Sequence, residues 1–434
     1  VRTRGHYKTN RVIFVTLGLL VFAGLAGRAR VPVPDETALR RQLSALLLMG
    51  TTLLALDSKL LYVEAAQMQD SLRMLLVLAL ISSAALVVLV WRGRALGLRQ
   101  GLMLIVVLAL VVARPLVLWA SPAPHIDVFT TTDAAVDFLM QGLNPYSQVY
   151  PDIYDGQYDY APGMAYWPGT VLFAAVGKWA FGDLRSIYVL GDVLGAAAMT
   201  ALAVRRSRLR LETGLLGAAV WLAFPVGLFV LEQAWVDPLV LAALLWAAVA
   251  LDAERFGAAG VLLGVATCIK QPAVLAALSA ALVVLALRPK AALRLILGGA
   301  AVGALILVPF ILWDADGWWR MTIAVPLGQA PRLDALTFVA LAQREWAVAW
   351  PGTGSTLIYA GVLAALMLHL IRAGRADGRV VPAVRWLGAM AVLYGVVFLF
   401  GKQAFCNYWA LTAGLVLAAR LALSTGSDTE PLYG

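Results

Sequence analysis

Residues 295–313 read LILGGAAVGALILVPFILW, nineteen consecutive positions without a charged side chain. A helix rises about 1.5 Å per residue, so this run is long enough to cross a hydrocarbon core of about 30 Å. Comparable apolar runs recur near 73–91, 102–120, 184–204 and 382–400. Within lipid every backbone amide must be paired inside its own element, so such runs are helices. Composition agrees: 62% of the 434 residues are hydrophobic and only 14% are charged, with a mean hydropathy of +0.83. A soluble domain is nearer half apolar and about a quarter charged. The chain reads as an all-α polytopic membrane protein.

The formal charge of +9 does not mark a nucleic-acid partner, because the basic residues lie in short clusters between apolar runs rather than in one stripe. Such clusters stay cytoplasmic and set orientation. With Arg92/Arg94/Arg99, Arg205–Arg210, Arg288/Lys290/Arg294 and Arg372–Arg385 inside, the loops 121–183 and 314–352 fall outside. The apolar stretch 164–181 is then an interfacial helix, since a crossing there would put Arg205–Arg210 on the wrong side. Spans near 212–230, 238–252, 258–269, 272–287, 355–373 and 404–421 complete a count of twelve or thirteen. The count includes a signal-anchor-like run at 12–27, while 42–56 is ambiguous from its flanking charges. The division is an N-terminal unit of extra helices (1–101), a module over 102–421, and a cytoplasmic tail (422–434). Cys268 and Cys406 are too few for a disulfide scaffold or a zinc cluster and read as buried thiols.

Ionisable groups at membrane depth cost about 2.5–3.5 kcal/mol each at a helix centre on translocon scales, so they are kept for a purpose. In this topology the turns on one face carry Glu232, Asp237, Lys270-Gln271, Arg320, and Lys402-Gln403 followed by Asn407-Tyr408. They share that face with loop 121–183, where Thr131 or Thr132 caps an expected helix over about 132–141 and Asn144-Pro145-Tyr146 makes a turn. Asp152, Asp155 and Asp159 read as solvated loop charge, and the D-x-[DN]-x-[DN]-G calcium spacing is absent. Asp127 is different. It follows a span directly, near His125, where a carboxylate can take a proton from a hydroxyl presented at the interface. Lys270, Lys402 and Arg320 are the cations available on that face for a leaving phosphate.

This pattern resembles the GT-C superfamily of integral-membrane glycosyltransferases, in particular its bacterial mannosyltransferase-like branch. The matching features are Asp127 at the start of a large first outer loop, Gly142-Leu143-Asn144-Pro145-Tyr146, an apolar loop helix over Tyr166–Phe181, and the turns at Lys270-Gln271 and Lys402-Gln403…Asn407-Tyr408-Trp409. The resemblance spans about 102–421. It implies inverting transfer of a monosaccharide, mannose or a pentose such as arabinose, from a polyprenyl-phosphate donor to a cell-envelope glycolipid or glycan acceptor. It also implies Asp127 as the base, Lys270, Lys402 and Arg320 on the donor phosphate, and no required cofactor, a divalent metal being the less favoured option. His125, Asn144, Tyr146, Glu232, Asp237, Gln271, Gln403, Asn407 and Tyr408 are the expected substrate contacts. The implied location is a bacterial inner membrane, with the site on the outer face among the membrane lipids. Val128 departs from the acidic pair that several members carry. The rivals are a transporter, whose polar sites lie near the midplane in repeated halves, and an O-antigen-type polymerase or ligase.

Overall fold

A computed structural model of the protein describes residues 36–57, 60–93, 95–156, 163–207, 211–377 and 383–422. The expected span at 12–27, Asp159 and the tail beyond 422 lie outside them. All regular structure among the described residues is helical. Helices α1 (Glu36–Leu56), α2 (Ala66–Arg92) and α3 (Leu96–Ala120) lead into a loop carrying α4 (Asp127–Met140) and α5 (Pro168–Phe181). Next come α6 (Ser186–Ser207), α7 (Leu211–Leu222), α8 (Gly227–Glu232), α9 (Asp237–Asp252), α10 (Phe256–Ile269), α11 (Ala273–Leu287) and α12 (Pro289–Trp313). The following connection holds α13 (Ala315–Trp319), a π turn over Arg320–Ala324, α14 (Val325–Gly328) and α15 (Phe338–Trp346). Helices α16 (Gly352–Asp377), α17 (Ala383–Leu399) and α18 (Cys406–Ala422) complete the bundle.

Five helices, α2, α3, α6, α12 and α16, are long and apolar enough to cross a membrane. That is fewer full-length crossings, among the described residues, than the twelve or thirteen expected. The central helices stop early at polar turns: α9 ends at Asp252, and α10 and α11 meet across Lys270–Pro272. Burial sorts the helices by environment. On α12 and α16, Leu305, Leu312 and Leu357 are 77%, 81% and 74% exposed, surface that only an apolar solvent tolerates at this density. Helix α9 is apolar all round and buried along nearly its whole length, as a helix at the centre of a bundle must be. Helices α10 and α12 pack through small residues. A Cβ at Gly264 would sit 2.9 Å from the Gly299 carbonyl, and one at Gly260 would run into the carbonyl of Leu295. Close backbone approach of this kind replaces the hydrophobic drive that lipid does not supply. The two cysteines are buried thiols, as expected.

The span expected over 212–230 is broken into α7 and α8 around Pro225. A proline has no N–H to continue the ladder, and the carbonyl of Leu222, the last residue of α7, accepts from Arg114 Nη2 at 3.2 Å. Arg114 also donates to Asp192 at 2.8 Å and to the Leu110 carbonyl at 2.6 Å. Arg114 and Asp192 are 1% and 2% exposed, a charge pair buried between α3 and α6. Removing one partner of such a pair costs about 3–5 kcal/mol. Arg114→Met should therefore lower the melting temperature of the detergent-solubilised protein by several degrees; melting at the wild-type temperature would show that the pair contributes nothing.

The ambiguous residues 42–56 belong to α1, which packs on α2 and α7. Arg40 and Arg99 meet Glu212 at 3.3 and 3.2 Å, and Thr213 donates to Glu36 at 2.6 Å. These contacts lie at the basic end of the bundle. Helices alternate between that end and a second one, where α3 finishes near His125, α9 begins at Asp237, α11 begins after Pro272 and α18 begins at Cys406.

Candidate functional site

A cavity of about 800 Å³ opens at this second end. Its wall draws on α4, on the turn between α10 and α11, on the connection 321–332, on the start of α18, and on Leu61 and Tyr62 ahead of α2.

Helix α4 begins at Asp127, five residues before the expected start. Ile126 is extended at its N-cap, and the Asp127 carboxylate accepts from the Val128 N–H at 2.8 Å and from the Tyr154 hydroxyl at 3.4 Å. A negative charge among unpaired N–H groups in a first turn is favoured by the helix dipole. Neither Thr131 nor Thr132 caps the helix; Thr132 is buried inside it. Asp127 is half-buried and faces the cavity beside the exposed His125.

The extent of the expected second loop helix matches closely. Pro168 opens α5 at N1, and Gly182 ends it in the left-handed conformation at φ +78°. At Gly169 a Cβ would meet the Cys268 carbonyl at 2.5 Å, and the Thr170 hydroxyl donates to the Ile269 carbonyl at 2.7 Å. Helix α5 is thereby seated on the end of α10, where Lys270 emerges. Lys178 ties α5 to α4 through Asp133 and Asp137 at 2.8 and 2.7 Å.

Lys270 lines the cavity and is only 3% exposed. Its ammonium donates to both Asp237 oxygens at 2.9 and 3.0 Å and lies 4.0 Å from the centre of the Tyr408 ring. Asn407 donates to the same carboxylate at 2.6 Å, and its own Oδ1, buried at the cavity wall, has no protein partner. Asp237 stands behind Lys270 at the N-terminus of α9 rather than in the wall. Gln271 faces the cavity while donating to the Ala165 carbonyl at 2.6 Å and the Thr322 carbonyl at 3.3 Å. Gln403 and Tyr408 also face it.

Besides Asp237, five expected site residues lie outside the wall. Arg320 is exposed, beyond the cavity, near Asp314, whose carboxyl is held below its usual range chiefly by the Ser147 hydroxyl and the Gly317 N–H. Lys402 is exposed and donates to the Leu327 carbonyl. Glu232 is fully buried and accepts from the Tyr62 N–H at 2.9 Å. Asn144 caps its own turn by accepting from the Tyr146 N–H at 2.9 Å, and the Tyr146 hydroxyl donates to the Tyr166 carbonyl at 2.8 Å. The turn thus fastens the loop. These misplacements share a cause: sequence gives the end of the bundle on which a residue lies, not which side of the backbone it occupies.

Residues not singled out from sequence supply much of the wall. Arg332 faces the cavity, gripped by Asp334 at 2.7 Å and lying 5.3 Å from the Phe405 ring; its N–H donates to the Lys402 carbonyl at 2.9 Å. Trp235 stacks on Phe405 at 6.4 Å, and Tyr62, Tyr154 and Tyr166 add further aromatic surface. Burial raises the Tyr166 phenol well above its ordinary range, so it is a neutral hydroxyl. Arg185, also missed, is fully buried behind the site. It donates to the carbonyls of Leu118, Ser121 and Glu232, and so locks the ends of α3 and α8 together. Among the described residues no three or more His, Cys, Asp or Glu side chains converge as metal ligands. No family model, curated protein or solved structure matches the chain.

Proposed function

We propose that the protein is a polyprenyl-phosphate-dependent glycosyltransferase of the GT-C type, with the cavity as its transfer site. One observation carries the reading. A half-buried carboxylate, a buried ammonium and a guanidinium face one aromatic-walled cavity at the end of an apolar helix bundle. A volume of about 800 Å³ lies in the upper range for organic ligands and has room for a sugar phosphate with an acceptor sugar.

In the proposed reaction an acceptor hydroxyl oxygen attacks the anomeric carbon of the donor. The bond from that carbon to the phosphate oxygen breaks, with inversion, and polyprenyl phosphate leaves. Asp127 takes the hydroxyl proton, a step worth about 10²–10⁴-fold. Lys270 and Arg332 take the charge that grows on the phosphate, which preorganised donors stabilise best in a site closed to water. Arg332 replaces Arg320 and Lys402 in that role. Asp237 and Asn407 orient Lys270. The donor's tail stays in the bilayer, which explains a bundle with so much lipid-compatible surface. The basic helix ends, cytoplasmic by the positive-inside rule, support an outer-face position for the cavity.

The test is incubation of the purified full chain with a panel of polyprenyl-phosphate sugars, mannose and arabinose included, followed by mass spectrometry of the lipid. The expected result is acceptor-dependent release of polyprenyl phosphate from one donor. Intact donor throughout, with a folded protein, contradicts the proposal.

A further inference from the structure

The stretch 60–65 ahead of α2 reaches the cavity through Leu61 and Tyr62, although it belongs to the N-terminal unit that lies outside the resemblance. Its course is fixed at two points. The Tyr62 N–H donates to Glu232 Oε1 at 2.9 Å, and the Glu64 and Ala65 N–H groups share the Ala120 carbonyl at 2.9 and 3.2 Å. Glu232 is fully buried, and its other oxygen accepts from Gln233 at 3.4 Å. A buried carboxylate spent on a loop's backbone N–H is an expensive fastening, and it leaves the Tyr62 side chain turned into the cavity.

Tyr62 sits on the Asp127 side. Burial raises its phenol above the ordinary range, and the Glu232 and Asp127 carboxylates add to the rise. The Tyr166 ring lies in the same wall, 6.0 Å from the Lys270 ammonium. The phenol of Tyr62 is thus a neutral hydroxyl at physiological pH, a hydrogen-bonding group that leaves base work to Asp127. An acceptor hydroxyl must come within hydrogen-bond reach of the base, so the groups beside Asp127 meet the acceptor, and those around Lys270 meet the phosphate.

We propose that Tyr62 is an acceptor-specificity residue, receiving a sugar ring of the acceptor on its aromatic face and one of that sugar's hydroxyls on its phenol. The N-terminal helices then supply part of the acceptor site. This inference rests on the glycosyl-transfer reading. A tyrosine suits the task because it pairs a flat apolar body with a polar tip.

The experiment is steady-state transfer by the full chain, with polyprenyl-phosphate mannose or arabinose as donor and octyl glycosides as acceptors. It compares wild type with Tyr62→Phe and Tyr62→Ala. Tyr62→Ala should raise the acceptor KM roughly tenfold or more, the scale of one lost hydrogen bond plus ring contact. Tyr62→Phe should raise it less, and in both variants the acceptor KM should rise more than the donor KM. The backbone, not the side chain, holds the loop, so both variants keep the fold. An unchanged acceptor KM in Tyr62→Ala, with an active wild type, overturns the Tyr62 assignment alone. An equal rise in both KM values also overturns it. A wild type inert toward all donors removes the transfer reading, and this inference with it.

Discussion

Asp127→Asn should abolish sugar transfer, with turnover falling about 10²–10⁴-fold, while the protein keeps its melting temperature. The substitution is nearly isosteric. Its amide oxygen still accepts from the Val128 N–H and the Tyr154 hydroxyl, the two contacts that place the carboxylate at the cavity wall. What disappears is the capacity to take a proton. The fall should appear in kcat with little change in donor KM, because a group acting only on the transferring proton contributes to the transition state and not to ground-state binding. Turnover within about tenfold of wild type would remove Asp127 from the base role, since a general base in position is worth more than that.

Lys270→Met should do two separable things. It should stop turnover, and it should destabilise the protein by about 3–5 kcal/mol, because Asp237 would stay buried without its ammonium partner, keeping the Asn407 amide as donor. The double variant Lys270→Met/Asp237→Asn removes both charges and keeps an acceptor for the Asn407 amide. It should melt close to wild type, since replacing a whole buried pair is far milder than breaking one. It should still be inactive, by about 10²–10³-fold, the scale of losing one preorganised donor to a developing anion. Recovery of turnover along with stability in the double variant would reduce Lys270 to a structural partner of Asp237.

The outline of the fold was legible because bilayer thickness and backbone pairing convert apolar length directly into helices. The run 295–313 became most of α12, and the stretch from Tyr166 became α5 with its Pro168 start and Gly182 stop. The convergence of Asp127, Lys270-Gln271 and Gln403…Tyr408 was legible through charge alternation, which assigns each turn to an end of the bundle. What failed depended on side-chain direction and on contacts across the bundle. Arg114 stands in an apolar run, and its need is met by Asp192 and by the carbonyl of Leu222 at the end of α7. Glu232 resembled a site residue because a lone acid at a helix end often is one, yet its partner is the backbone of Tyr62, far away in sequence. Arg332 offered no local pattern to separate it from Arg320. Only the backbone pairing of 332 with 402 and 336 with 404 brings it over the cavity.

Site-directed photocrosslinking tests the central claim most directly. A polyprenyl-phosphate sugar with a diazirine on the sugar is illuminated with the purified protein, and the labelled peptides are sequenced. The account predicts labels on cavity residues such as Tyr166, Gln271 and Arg332, competed by unmodified donor. Labels confined to the opposite, Glu212 end of the bundle, or none that unmodified donor competes, would contradict it.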